Sequence, residues 1–149
     1  MSLKYTIALL ALFFALVGAG VPTNMTDFWQ SELNLTKPLN FQAYAGYEEL
    51  DWFFPDAHYF YTYWGVEERD MHSAEVPLII FLQGGPGSAS QFSAFNYIGP
   101  LKVMGSGDGL RASRNYLGWN GLGNLLVVDQ PLGVGFSYDK VWHTTTTTE

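Results

Sequence analysis

Two runs of apolar residues stand out in the chain beyond its first twenty residues. They are "PLIIFLQ" (Pro77 to Gln83) and "NLLVVDQ" (Asn124 to Gln130), each rich in branched side chains and closed by glycine or proline. Their length and flanks predict strands, and their all-apolar character predicts burial on both faces. Upstream, "NFQAYAGYEEL" and "HYFYTYWG" are rich in Tyr and Phe and flank "DWFFPDA", where Pro55 and Asp56 are turn residues. This pattern predicts an antiparallel hairpin at a sheet edge. "VEERDMHSAEV" is a charged connector, and "SASQFSAFNYIGP" predicts a short helix. The glycine-rich "MGSGDGL" reads as a loop, and residues 21–40, polar and carrying Pro22 and Pro38, read as a surface lead-in. The long crossover between the two apolar runs predicts a parallel pair in an α/β sheet.

The N-terminus has a different pattern. In "MSLKYTIALLALFFALVGAGVP", Lys4 precedes an apolar stretch from Tyr5 to Val17, followed by Gly18, Ala19 and Gly20. This is the layout of a secretory signal peptide over residues 1–20. The apolar run is shorter than the roughly 20 residues a membrane span needs, so no stable membrane anchor is expected. Two sequons follow, at Asn24 and Asn34, and become candidate glycosylation sites in an exported chain. Asn34 is the better placed, because Asn24 lies close to the mature N-terminus. With 149 residues there is room for one modest domain. The net charge of -7, without any Lys/Arg cluster, excludes nucleic acid as a partner. There is no cysteine to staple the fold. The five threonines near the C-terminus are low complexity, compatible with a linker, an O-glycosylated stalk or an ordinary loop.

Directly after the first apolar run comes Gly84-Gly85-Pro86-Gly87. A phosphate loop would need a Gly-Lys-[Ser/Thr] step, which is absent, and a dinucleotide fingerprint would need a glycine at Ser90. The remaining chemistry is an oxyanion hole. Backbone N–H groups must reach a developing negative charge with no side chain in the way, which glycine permits. A tight turn with close packing accounts equally well for the glycines taken alone.

The string "FLQGGPGSASQFSAFNYIGPL", followed by "NYLGWNGLGNLLVVDQPLGVGFSY", resembles the serine carboxypeptidase family over roughly Ala43 to Tyr138. The resemblance implies an α/β fold, the N-terminal part of an α/β-hydrolase sheet: an antiparallel hairpin followed by two buried parallel strands, the sheet incomplete. Residues 21–149 would then be a partial domain that stops before the nucleophile elbow. It further implies removal of C-terminal residues from peptides or proteins, best at acidic pH, in a lysosome, a vacuole or outside the cell, with no cofactor or metal. Gly85 would be the oxyanion-hole glycine. Gln83 takes a position, usually Asn, that holds the substrate's terminal carboxylate, and Gly84 lines the same spot. The chain departs from the family at three places. Phe81 replaces a usual Trp, Ser88 an often-present Cys, and Tyr97 a Glu of the carboxylate-binding network. That Glu works best protonated, whereas tyrosine donates a hydrogen bond and stays neutral through mid-pH.

The Ser-Asp-His triad is not recognisable in these residues. No Gly-x-Ser-x-Gly occurs, and Ser137 lacks the second glycine and aligns with a non-catalytic segment. His58, His72 and His143 read as surface or loop histidines, with no metal-ligand spacing between any pair. The chain alone is therefore expected to be inactive, with Asn124–Gln130 as a bare apolar edge prone to pair with other chains. Two other readings stay open at this point: a non-catalytic secreted relative that keeps a binding groove, and a family member that transfers acyl groups.

Overall fold

The computed structural model describes residues 20–33, 38–49, 56–85, 87–105 and 111–139. Its main sheet is mixed. Strand β1 (Thr23–Asn24) pairs with β2 (Ala43–Glu49), which pairs antiparallel with β3 (Ala57–Trp64). Next to β3 lies β7 (Asn124–Val128), antiparallel to it, and then β4 (Leu78–Leu82), parallel to β7. A two-residue strand β8 (Tyr138–Asp139) also pairs with β3. Of the predicted turn residues between β2 and β3, Asp56 is in a turn at φ +63, the left-handed region, while 50–55, Pro55 among them, lie outside the described residues.

The period-2 pattern decides the layers. Ala43 and Ala45 of β2, Phe60, Thr62 and Trp64 of β3, and Leu125 and Val127 of β7 are all buried on one face. Ile79 and Phe81 of β4 pack against the same core from its margin. Helix α1 (Thr26–Glu32) covers this face, and Trp29 packs against Trp64 and Phe95 at ring distances of 6.3 and 5.6 Å. The segment 21–40 is thus more than a lead-in. Met25, Trp29 and Leu33 recur at i, i+4 and i+8, an apolar stripe that seats the helix on the core.

Two expectations about the apolar runs are corrected. Leu78–Leu82 is not buried on both faces: Leu78, Ile80 and Leu82 are more than half exposed. Nor is Asn124–Gln130 the bare edge, because β7 is flanked by β3 and β4 and the terminal strand is β4. An apolar run reports the capacity to be covered. Which strand is terminal depends on pairings far apart in sequence, such as Trp64 with Leu125.

After β4 the chain forms helix α2 (Ser90–Ser93), continued by a π-helical turn (Ala94–Ile98). Flanking the glycine-rich stretch is a second small sheet, β5 (Leu101–Met104) against β6 (Arg111–Arg114), whose strands the sequence pattern does not predict. Residues 106–110 of that glycine-rich stretch lie outside the described residues, as does the threonine tract. A 3-10 turn (Trp119–Gly121) leads into β7. Arg114 braces this region. Its Nη2 donates to Glu67 Oε1 and to Asn40 Oδ1, both at 2.6 Å, and its guanidinium lies 4.3 Å from the Phe41 ring centroid. Burial lowers the Arg114 pKa and Glu67 opposes that shift, so the pair is held by geometry as well as charge.

The two faces of the sheet should respond differently to truncation. Trp64→Ala, on the covered face, is expected to cost about 3–5 kcal/mol in denaturant unfolding. Ile80→Ala, on the open face, should cost less than about 1 kcal/mol.

Candidate functional site

Gln83 directly follows strand β4, and three bonds fix that residue. Its N–H donates to Ser90 Oγ at 2.9 Å, and its carbonyl accepts from Gln130 Nε2 at 2.7 Å. Its side-chain Oε1 accepts from Ser93 Oγ at 3.2 Å. Among the described residues no acceptor engages Gln83 Nε2, which leaves the amide's two donors unclaimed. Gly84 and Gly85 follow, both exposed. Gly85 has φ +144, a region that L side chains rarely adopt, and a Cβ there would press to 3.3 Å on the amide nitrogens of Gly87 and Ser88. Pro86 lies outside the described residues. Beneath the loop, Phe81 meets the Trp119 ring edge-on at 5.9 Å.

The loop rests on a buried carboxylate. Asp129, fully buried just after β7, accepts the Gln91 N–H at 3.0 Å and the Phe136 N–H at 3.1 Å, with a further bond from the Ser90 N–H. Burial raises its pKa above the ordinary 3.8, and the three backbone donors partly oppose that shift. Gly135, at φ +59, passes so close that a Cβ would overlap Asp129 Oδ2. From Gln91 a buried polar chain runs along the covered face. Trp64 Nε1 donates to Thr62 Oγ1, Thr62 Oγ1 donates to Gln91 Oε1, and Gln91 Nε2 donates to the Val127 carbonyl.

The other singled-out residues fall elsewhere. Tyr97 is exposed in the π-helical turn with its ring 6.1 Å from that of Phe92, and no described hydrogen bond joins its hydroxyl to Gln83. Ser137 is buried: its Oγ accepts the Phe60 N–H and donates to the Asp129 carbonyl, which commits it to bracing the chain. His58 corrects the reading of surface histidines. It is 7% exposed, stacked on Tyr138 at 4.7 Å, with Nδ1 3.7 Å from Glu49 Oε1. The cause is β8, which lies across the start of β3 and covers it. His72 is exposed, and His143 lies outside the described residues. Asn24 is exposed, with its Oδ1 accepting the Thr26 N–H at 2.9 Å, whereas Asn34 and residues 1–19 lie outside the described residues. Among the described residues no three His, Asp or Glu side chains are grouped to hold a metal ion, and no helix is long and apolar enough to cross a membrane.

Sequence reasoning missed Ser90, Gln91 and Ser93 as supports of the loop. Their only signal is three polar residues around Phe92 on a one-turn helix. Asp129 belongs to the recognised string, but nothing in the string says that its carboxylate is buried.

Because Asp129 holds its proton more tightly folded than unfolded, its contribution to stability is fullest below the ordinary carboxylate pKa and is lost as pH rises through the raised value. Asp129→Asn removes that dependence, so thermal melts are expected to show the wild type losing ground relative to the variant as pH rises above about 4. Gly135→Ala should lower stability by at least about 2 kcal/mol at every pH, read by denaturant unfolding.

Comparison with known proteins places the chain in a family. The family model for serine carboxypeptidase matches residues 34–149. Serine carboxypeptidase S10 family member 1 of Dictyostelium discoideum is 39% identical over 118 residues, which is 78% of this chain and 26% of the relative. Serine carboxypeptidase-like 28 and serine carboxypeptidase-like 41 of Arabidopsis thaliana are 40% and 41% identical over 101 residues, 67% of this chain and 21% and 20% of theirs. The chain thus spans about a fifth to a quarter of the length of these curated relatives. The match runs through the glycine loop and the Asp129 segment that supports it, and on that ground the chain belongs to the serine carboxypeptidase family.

Proposed function

We propose that these residues form the oxyanion and carboxylate-gripping part of a serine-type carboxypeptidase, with the Ser-Asp-His triad supplied by residues outside this stretch. In this reading the Gly85 N–H faces the oxygen of the tetrahedral intermediate, where one such donor contributes on the order of 10²–10³ in rate. Gln83 Nε2 and the Gly84 backbone hold the terminal carboxylate of a peptide, and Tyr97 adds a hydroxyl donor in place of an acid. The observation that carries the proposal is Gln83 itself. Three bonds anchor it at the end of a parallel strand while its amide N–H groups face no described acceptor. The carboxyl ends of such strands are where open α/β sheets place their ligands. Export by the leader at 1–20, glycans on Asn24 and Asn34, and residence in a lysosome, a vacuole or the extracellular space belong to the same reading.

Two measurements test it. The natural transcript should continue in frame past Glu149 into a Gly-x-Ser-x-Gly codon run; a stop with no such elbow overturns the proposal. The protein so encoded should release the last residue of a blocked dipeptide with a free carboxylate and act far more slowly on its amide. There, Gln83→Ala should raise KM for the free acid by roughly 10–100-fold, the loss expected for a hydrogen bond to a charged group, with kcat changed only a few-fold. Equal rates on acid and amide would remove the carboxylate grip from the proposal.

A further inference from the structure

Where β4 and β7 end, the hydrogen-bond ladder between them changes partners. Asn124 donates its N–H to the Pro77 carbonyl at 2.9 Å, and the two strands run parallel with Leu82 opposite Val128. In a parallel ladder the bonds to one neighbour come from alternate residues. The series of accepting carbonyls that starts at Pro77 therefore reaches Gln83, and the series of donors that starts at Asn124 reaches residue 130. The Gln83 carbonyl does accept from residue 130, but from its side chain, with Gln130 Nε2 at 2.7 Å. A carbonyl only accepts, so the atom that faces it is the amide nitrogen. The Gln83 N–H also leaves the ladder for a side chain, Ser90 Oγ at 2.9 Å. Gln130 thus extends the ladder by one rung past the end of both strands. That rung falls on the peptide that leads into the glycine loop.

The peptide in question joins Gln83 to Gly84, and it is planar and trans. Its C=O and the Gly84 N–H therefore point in opposite directions from one rigid plate. Holding the oxygen fixes where the N–H points, which is away from Gln130 and β7. Glycine brings the widest backbone freedom of any residue, so the plate needs a partner to keep its angle. A carbonyl that accepts a hydrogen bond also makes the N–H of the same amide a stronger donor, by roughly 10–30% in a chain of such bonds. The Gln83 side chain is held separately, by Ser93 Oγ at 3.2 Å. The two donors assigned to the substrate carboxylate are thus braced independently, Gln83 Nε2 by Ser93 and the Gly84 N–H by Gln130. We propose that Gln130 is a positioning residue for recognition of the terminal carboxylate, acting through the Gly84 N–H that it aims and polarises. The inference rests on the carboxylate-gripping reading above. It adds that preference for a free C-terminus depends on a side chain that does not itself touch the substrate.

The test uses the full-length natural protein and a blocked dipeptide offered as the free acid and as the amide. The quantity read is the ratio of kcat/KM for the acid to kcat/KM for the amide. Misfolding of part of a preparation scales both values alike and leaves the ratio unchanged. Gln130→Met keeps the length of the side chain and removes the donor. It is expected to lower the ratio about tenfold, through a higher KM for the acid, the effect of one hydrogen bond. Gln130→Glu keeps the shape but turns an acceptor towards the Gln83 carbonyl, so at neutral pH its ratio should fall below that of Gln130→Met. As pH drops towards about 4 the introduced carboxyl takes up a proton and donates again, and the ratio for Gln130→Glu should rise above that of Gln130→Met. Comparing the two variants at each pH cancels the titration of the substrate, of Asp129, and of Glu48, Tyr59 and Tyr61, which line the same hollow as Gln130. A wild-type ratio near one removes the carboxylate grip itself, and this inference with it. A clear wild-type preference that survives in Gln130→Met overturns this inference alone. A loss of rate shared equally by acid and amide, the mark of a bond that serves only the fold, overturns it too.

Discussion

The arrangement depends on one carboxylate taken out of water. A carboxyl as deeply buried as that of Asp129 is costly unless its oxygens are bonded. Here the donors are backbone N–H groups of Ser90, Gln91 and Phe136, so the oxygens are met by main chain with no cationic side chain. Those donors belong to the helix after the glycine loop and to the turn after β7. Satisfying Asp129 therefore sets the distance between two segments that share no strand pairing. The close pass of Gly135 and the Ser137 bonds to Phe60 and to Asp129 itself tie the same point to β3.

Side-chain amides do comparable work elsewhere. Asn124 accepts from Val66 N–H and donates to the Met71 carbonyl, and Asn115 donates to the carbonyls of Tyr97 and Gly99. Asn120 donates to the Gly65 carbonyl. Each such bond is worth about 1 kcal/mol net, but a buried carbonyl left without its donor costs about 1–3 kcal/mol. The long connections thus have a defined course because alternatives strand polar groups. This matters for a site built from loops, where the core by itself fixes only the strands.

Much of the fold was legible in the sequence, for reasons visible in particular residues. The β2–β3 hairpin follows from the aromatic alternation that places Phe60, Thr62 and Trp64 inward and Tyr59, Tyr61 and Tyr63 outward. The parallel pairing of the two apolar runs follows from the length between them. What the sequence did not disclose was long-range. The position of β7 between β3 and β4, the cover that β8 gives His58, and the helix holding Trp29 all depend on partners tens of residues away. The short β5–β6 hairpin escaped because its four-residue strands straddle a glycine-rich stretch. Of the site, the glycines and Gln83 were visible as a string, whereas their supports Ser90, Gln91 and Ser93 are ordinary polar residues whose roles exist only in three dimensions.

The order of strands also has a meaning in time. Hairpin β2–β3 and strand β4 do not touch each other as strands; β7, made last of the long ones, joins them. Until Asn124–Val128 has left the ribosome, β4 has no ladder to enter, and the glycine loop behind it has neither Asp129 nor Gln130 to hold it. Closing such distant contacts is slow compared with local pairing. A nascent chain therefore carries Leu78–Leu82 unpaired on both sides for as long as the intervening residues take to be synthesised. That interval is when a chaperone has the most to shield, and it ends with a single docking event.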